Sequence, residues 1–287
     1  NMSVDCLEPR LLLTAVVLTD SEQYVLELVN RARANPTAEA ARYKIALNSG
    51  VPADELISTA PKQPLAPQQD LAKSALLHTQ DMLQRDYFDH VTLGTGTTFS
   101  QRVTDQGYKW NRVAENIGYS ASTVDFSQTK FLNTIHEGLI KSAGHRINIM
   151  DPELVEVGIG ARLGSFKDKI TYQFTEMVTE NFGKRTGIGP YITGVAYTDS
   201  DKDGFYTIGE SIRGGTVSAE NVATGAIFSD SIGISGAYGL IVPAGSYTVT
   251  AKYSLNGSPQ VFVHKGTVAV GANNVKVDFN SNLITFP

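Results

Sequence analysis

The 287-residue sequence holds one cysteine, Cys6, and one tryptophan, Trp110. A lone thiol excludes a disulfide framework and any zinc site built on cysteine pairs. No apolar run approaches the about 18–20 residues that a helical membrane span requires, so no transmembrane helix is expected. Positive charge is short as well: 24 Lys and Arg stand against 29 Asp and Glu, a net charge of −5. Nucleic acids and anionic bilayers are bound through basic surfaces that displace counterions, and this balance argues against both. Familiar catalytic signatures are missing too. There is no Gly-x-Ser-x-Gly elbow and no phosphate loop, and His136-Glu137 cannot open a zinc-protease helix because Ile140 occupies the second histidine position. Gly158, Gly160 and Gly164 miss the final spacing of a dinucleotide fingerprint and read as close-packing glycines.

What the chain does contain is enough apolar residue for packed cores, 41%, over a length that suggests two domains. Composition breaks near Gly183. Residues 184–287 carry 15 of the 26 glycines, while His78, His90, His136 and His145 all fall in the first part. The two parts are therefore expected to differ in structure and in chemistry.

The first part mixes helix and strand. Asp20-Ser21 can cap a helix over 22–34, with Val25, Leu26, Val29 and Ala32 at helical spacing. Asn35-Pro36 ends it, and Thr37 can cap a second helix running toward Leu47. Pro67 suits the first turn of a third helix over 68–85. On that helix Leu71, Ala75, His78 and Met82 share a face, so His78 reads as a hydrogen-bonded structural histidine. A fourth helix begins at Asp125 or Ser127 and aligns Phe131, Leu132, Ile135 and Leu139. Its His136 matches no motif and reads as exposed, and Glu137 reads as half of a surface ion pair with Lys141. Strands are expected at 155–163 and 170–178, and helices and strands interspersed in this way suggest a sandwich of mixed α and β elements, an α+β fold.

The second part reads as all β. Tyr247, Val249 and Ala251 alternate onto one face, and the pattern recurs at 275–279. Turn signals at Thr224-Gly225, Pro243-Ala244-Gly245 and Asn256-Gly257 suit a small β-sandwich. Asp199, Asp201, Asp203, Gly204 and Glu210 fill every fixed position of the Asp-x-Asp-x-Asp-Gly-x5-Glu calcium loop. A hard cation takes about six to eight oxygens, here three carboxylates, the carbonyl of Phe205 and a closing Glu210. Strands rather than helices are expected to flank the loop, which makes it a structural clip. A solvated acidic turn is the plainer alternative. This loop, with the stretch 242–249, resembles the Ig/prealbumin-like repeats of bacterial surface proteins, among them calcium-binding repeats of staphylococcal adhesins. The resemblance covers about residues 190–287 and implies a spacer or display role. At the other end, Leu7-Glu8-Pro9-Arg10-Leu11-Leu12-Leu13 resembles an element found near the start of some large exported bacterial proteins. A docked strand or tail is the alternative.

An ordered set of segments remains in the first part. It runs from Asn30-Arg31-Ala32-Arg33-Ala34-Asn35-Pro36 through His78, Tyr87-Phe88-Asp89-His90, Arg102 and Gly107-Tyr108. Ala114-Glu115-Asn116-Ile117-Gly118, Gly144-His145-Arg146 and Glu156-Val157-Gly158-Ile159-Gly160 follow. In this order the segments resemble the bacterial SCP-like branch of the CAP superfamily (cysteine-rich secretory protein, antigen 5, pathogenesis-related 1) over residues 20–183. The resemblance implies an α-β-α sandwich whose cleft holds two histidines and one or two glutamates. Carried over by motif, these are His90, Glu115 and His145. Larger relatives have a second glutamate on the helix before the Gly-His segment, farther upstream than Glu137 lies from His145. Two imidazoles near a carboxylate suit a divalent ion such as zinc, held by His90 and His145 with positions open for water. Bound water would then ionise more readily, or Glu115 would act as general base. A polar network that only fixes the cleft is the competing reading.

The expected molecule is an extracellular or cell-surface protein with a tail over 1–19, a CAP domain over 20–183 and a calcium-clipped β domain over 184–287. Its cleft is expected to bind an extracellular lipid, glycan or peptide. One alternative is a metal-assisted, peptidase-like hydrolase using His90, Glu115 and His145; another is a purely structural display protein.

Overall fold

A computed structural model describes residues 17–255, 257–264 and 266–281. Cys6, the segment 7–13 and Asn256 of the third turn signal lie outside the described residues.

The first helix, α1 (Asp20–Ala34), starts two residues earlier than its sequence suggests, because the cap is Thr19. Its hydroxyl accepts from the Glu22 amide, and the Glu22 carboxylate accepts from the Thr19 amide at 2.8 Å, a reciprocal capping box. Asn35 closes α1 and opens α2 (Pro36–Arg42), with Pro36 at the first helical position that its ring favours. That helix stops short of Leu47: Lys44 turns left-handed at φ 57°. Pro67 lies in the short strand β1 (Ala66–Pro67) rather than in α3 (Gln69–Gln84), which Gln68 caps. The order continues with α4 (Phe99–Asp105), β2 (Trp110–Ser122), α5 (Gln128–Lys141) capped by Ser127, and α6 (Ala143–Met150). Strands β3 (Glu156–Lys167) and β4 (Thr171–Arg185) complete the first region.

Its sheet runs β1-β3-β4-β2, parallel only between β1 and β3. Strand alternation sorts β4 between two layers. Thr179 and Asn181 meet α3, whereas Val178 and Phe182 join the core built with α1, α5 and α6. Helix α3 lies directly on β3 because Gly158 and Gly160 have no side chains there. A Cβ at either would overlap the α3 backbone at Ala72 or Leu76. The product is an α-β-α sandwich with β2 at the sheet edge.

The second region holds β5 (Tyr191–Tyr197), β6 (Thr216–Asn221), β7 (Ile227–Ser231), β8 (Ala237–Ile241) and β9 (Gly245–Leu255). Short strands β10 (Ser258–Val263), β11 (Val268–Val270), β12 (Val275–Lys276) and β13 (Phe279–Asn280) follow. One sheet runs β10-β9-β6-β7 with β11 on β9; the other runs β12-β5-β13 with β8 on β5. Tyr247, Val249 and Ala251 share a core with Ile192, Tyr238 and Leu240, as their alternation predicts.

The two regions do not meet as beads on a string. Val195, Tyr197, Tyr206 and Ala237 belong to the same apolar cluster as Leu28 and Val29 of α1. Around that seam, buried Glu156 accepts from the hydroxyls of Tyr108 and Tyr191, each at 2.6 Å, and pairs with Arg185. Lys276 reaches Glu27 of α1 at 2.9 Å. Among the described residues, no helix is long and apolar enough to cross a membrane.

Candidate functional site

The site grows from three consecutive constraints on the chain after α3. Tyr87 donates to Asp81 at 2.5 Å, and buried His78 contacts the carbonyl of Asp89 through Nε2 at 3.0 Å. His78 is thus the structural histidine its apolar-face position predicts, and it fixes the residue before His90. From α4, Arg102 then ties down the following turn. Its Nη1 donates to the carbonyls of His90 at 2.8 Å and Thr97 at 3.2 Å, and to the Thr92 hydroxyl at 3.2 Å.

Glu115 occupies the middle of this arrangement with no exposed side-chain surface, whereas the His90 side chain is 47% exposed. His90 Nδ1 lies 2.9 Å from Glu115 Oε1. Arg102 Nη2 donates to Oε2 at 2.6 Å. Asn181, with its amide oriented so that its oxygen accepts from Ala75 N and Ser74 Oγ, donates to the same Oε2 at 3.1 Å. The carboxylate charge is therefore matched by a guanidinium, and both its oxygens are engaged. Nδ1 of His90 is committed, which leaves Nε2 as the polar atom the half-exposed ring can offer.

His145 arrives from the other layer. Buried Arg146 fastens α6 to the end of α5 and to the loop after α2 by donating to the carbonyls of Ile140 at 2.6 Å and Leu47 at 2.8 Å. Asn116, adjacent to Glu115 on β2 but facing the opposite layer, donates to the His145 carbonyl at 3.2 Å and to Glu180 Oε2 at 3.0 Å. Asn148 completes the link with bonds to Asn116 Oδ1 at 2.9 Å and the Glu115 carbonyl at 3.3 Å. Burial, and then the charge of neighbouring His90, hold the His145 imidazole below its ordinary range. Burial, followed by the charge of Arg102, does the same to His78. Glu180, with nothing but Asn116 to favour its ionised form, is pushed by burial up to about 7.

The donor atoms of His90, Glu115 and His145 do not all come within 4.8 Å of one another; among the described residues, Asp199, Asp201 and Asp203 do. Glu115 fits as the group that orients His90. In the second region, Gly204 takes φ 75° at the sharp bend of the acidic loop. Glu210 closes the loop by accepting from Ser200 N at 2.6 Å and Thr207 N at 2.9 Å.

Two other residues have clear places. Glu137 pairs with Lys141 on the outer face of α5, and both are more than 40% exposed. His136 overturns its sequence reading: it is 1% exposed, with Nε2 at 3.0 Å from Glu39 Oε1. Glu39 and Arg31, brought together by the Asn35 corner, create an acceptor there that no motif signalled. Burial opposes the charge on Glu39, yet hydrogen bonds from His136 and Arg31 hold its carboxyl down to about 2.

The model of the CAP family, the cysteine-rich secretory protein family, matches residues 26–179. The chain belongs to that family. The matched CAP region contains every residue of the cleft except Asn181 and Glu180, which sit just beyond it on β4. The chain is similar to protein YkwD of Bacillus subtilis, 31% identical over 98 residues, 34% of this chain and 35% of that protein. Among solved structures, it is similar to an extracellular protein containing an SCP domain from Bacillus anthracis. Identity there is 21%, over 57% of this chain and 40% of that chain, with a TM-score of 0.37. An outer surface protein of Borrelia burgdorferi is 16% identical over 60% of this chain and 98% of its own, also with a TM-score of 0.37. The chain thus spans well under half the length of YkwD and of the B. anthracis protein.

Within the CAP domain, His90 contacts Glu115 directly, and the backbone of His145 is held by the neighbouring Asn116. The residues that hold them were not assigned a role from sequence. Arg102 appears in the motif set only as a marker, and Asn116, Asn148 and Asn181 act through amides whose partners lie far along the chain. In the structure, alternation along β2 and β4 sends Glu115 and Asn181 to one face and Asn116 and Glu180 to the other.

Proposed function

We propose that the protein is a secreted or surface-located binding protein. Its CAP cleft takes an extracellular ligand at the imidazoles of His90 and His145, and a divalent ion such as zinc is one partner those imidazoles can hold. The observation that carries this reading is the engagement of Glu115. A buried carboxylate bound by Arg102, Asn181 and His90 is a device for aiming a half-exposed ring. Work as a general base needs a free lone pair near a water, and Glu115 would first have to release Arg102. The hydrolase alternative is disfavoured on that ground. When bound, a divalent ion would supply Lewis acidity between the two imidazoles. The chain's own contribution is to hold His90 Nε2 and His145 in place. Phe88 and Val91, flanking His90 and about 40% exposed, give the cleft an apolar rim that suits an amphipathic lipid, glycan or peptide.

The second region serves in this reading as a spacer, with calcium held by Asp199, Asp201, Asp203, the Phe205 carbonyl and Glu210. Three carboxylate oxygens within 4.8 Å of one another repel unless a cation sits between them. Export is supported by the secretory character of the matched family.

Calorimetric titration with zinc tests the cleft. The native chain is expected to give saturable heat, and His145→Ala at least a tenfold weaker interaction. No heat from the native chain removes the metal from the proposal. Zinc-dependent cleavage of peptides, abolished by Glu115→Ala in a variant that still folds, would overturn the binding assignment in favour of hydrolysis.

A further inference from the structure

Among the described residues, β4 is the one strand that pairs with β2. Which backbone groups of β2 it uses follows from the strands beyond. The carbonyls of Val155 and Val157 accept from Ala66 N and Gln68 N, so odd-numbered residues there face β1 and even-numbered ones face β4. The β4 residues opposite those even positions, Thr179, Asn181 and Gly183, therefore use their backbone on β3. Their partners on β2, Ile117, Glu115 and Val113, are turned the other way, as are Tyr119 and Ala121 in the same alternation.

Asn148 Nδ2 reaches one of these outward groups, the Glu115 carbonyl, at 3.3 Å. The backbone N–H and C=O of Val113, Ile117, Tyr119 and Ala121 have no partner among the described residues. Such groups are costly to bury unpaired, so the row belongs to solvent or to a ligand. Glu115 shows the opening: its side chain is 0% exposed but the residue 5%, so the exposed part is main chain. Tyr119 and Ala121 are partly exposed. Residues 113–121 also hold no Lys or Pro, the residues that blunt free edges, and the bulge at Trp110 and Arg112 disturbs only the start of the strand.

A row of N–H and C=O ends, opposite in partial charge and repeating about every 6.8 Å, selects its partner. An extended peptide carries the complementary row at the same interval. An acyl chain has no such groups, and the hydroxyls of a glycan do not alternate in this way. A second copy of the sandwich cannot bring its own β2 alongside without pressing helical layer against helical layer, because both faces of the edge are covered.

We propose that the CAP cleft binds an extended peptide by strand addition, as a fifth strand along residues 113–121. Alternate side chains of the peptide then lie on the face of Glu115 and Tyr119, beside His90 and Phe88, whose ring packs on Tyr119 at 4.8 Å. The others lie on the face of Asn116, toward the turn that carries His145. The proposal rests on the reading of this cleft as a ligand site and names the ligand class. It uses no metal, so a failed zinc titration leaves it standing.

Two measurements on the full isotope-labelled chain test it. In hydrogen exchange without ligand, the amides of Ile117, Tyr119 and Ala121 should exchange at least about a hundredfold faster than those of Asn116, Gly118 and Ser120. Equal protection of the two sets means that the edge is already covered, and overturns the proposal. The second is an NMR titration with a blocked heptapeptide of alternating Val and Thr, N-methylated along one edge so that it cannot pair with itself. Saturable shifts at the outward amides are expected below about 1 mM, and the heptapeptide methylated on every nitrogen should bind at least about tenfold more weakly. Ala121→Pro removes an outward N–H and no bond to β4, and should weaken the heptapeptide about fivefold. No saturable shift, shifts centred elsewhere or equal affinity for the fully methylated peptide overturns the proposal. So does a mass that doubles with concentration without peptide, which would assign the edge to a second copy. Should Ala121→Pro fail to fold, exchange and the two peptides on the native chain decide the matter.

Discussion

Replacement of Glu180 by Gln should remove a pH-dependent loss of stability from the protein. Glu180 is fully buried on β4, accepts one hydrogen bond from Asn116, and has its other oxygen without a partner among the described residues. Burial raises its carboxyl from 4.5 to about 7. The folded chain therefore keeps a proton that the unfolded chain has already lost. The stabilisation from that proton is complete below about pH 4.5 and disappears as pH climbs through about 7. At about 1.4 kcal/mol for each pH unit between the two values, the full effect is about 3 kcal/mol. Between about pH 5 and about pH 8 some 2–3 kcal/mol of it is lost. No discount for solvent screening applies to a side chain with 0% exposure.

Glutamine keeps the acceptor for Asn116 and cannot ionise. Its amide nitrogen brings a constant penalty, because it stands where a carboxylate oxygen already lacked a partner. The signal is thus the change with pH and not the offset. Urea unfolding of both chains at about pH 5 and about pH 8 reads it directly. The variant should gain about 2–3 kcal/mol on the native chain over that interval. Other shifted groups, such as Glu176, raised by burial to about 7, are common to both chains and cancel in the difference. A difference that stays flat with pH, or runs the other way, refutes the assignment of a buried proton to Glu180.

Two further outcomes follow from the same accounting of buried charge. Arg102→Met leaves the Glu115 carboxylate without its counter-ion, a loss of about 3–5 kcal/mol, and Glu115→Gln in the same chain should recover much of it. Strict additivity in that double-mutant cycle would show that the pair does not interact. For the acidic loop, calcium at about 100 times its dissociation constant should add about 3 kcal/mol, a rise of about 5–10 °C in melting midpoint. Chelation should reverse the rise, Asp201→Asn should abolish it, and an unmoved midpoint on chelation would speak for a solvated turn.

The sandwich was legible because its signals are local. Helical spacing on α1, α3 and α5, and strand alternation at 245–253, need only a few neighbours to be read. Residues 110–122 escaped, and with them the strand that organises the site. A sequence such as Trp110-Asn111-Arg112-Val113-Ala114-Glu115-Asn116 has no clean apolar alternation, because an edge strand next to a polar cleft buries carboxylate and amide instead of hydrocarbon. His136 failed for a related reason. Its partner Glu39 lies 97 positions away, and no pattern within one helix announces it. Motif order placed His90, Glu115 and His145 together, yet it could not reveal that Arg102 occupies the glutamate, which is what changes the chemistry.

The spacing of the two imidazoles is a property of the layers. Glu115 and Asn116 are neighbours on β2, and strand geometry sends them to opposite faces. One holds His90, delivered by the loop after α3; the other holds the turn of α6 that carries His145. The distance across the cleft is therefore set by how closely each helical layer approaches the sheet edge. On the α3 side that approach is fixed by Gly158 and Gly160, two strands away from β2, where any side chain would lift the helix off the sheet. On the other side Gly118, whose Cβ would collide with Ile135 of α5, sets the same limit. Packing glycines with no polar atom to offer thus set how closely the layers that carry His90 and His145 approach the sheet. A change that thickens either layer should alter what the cleft can hold before it touches a single residue in it.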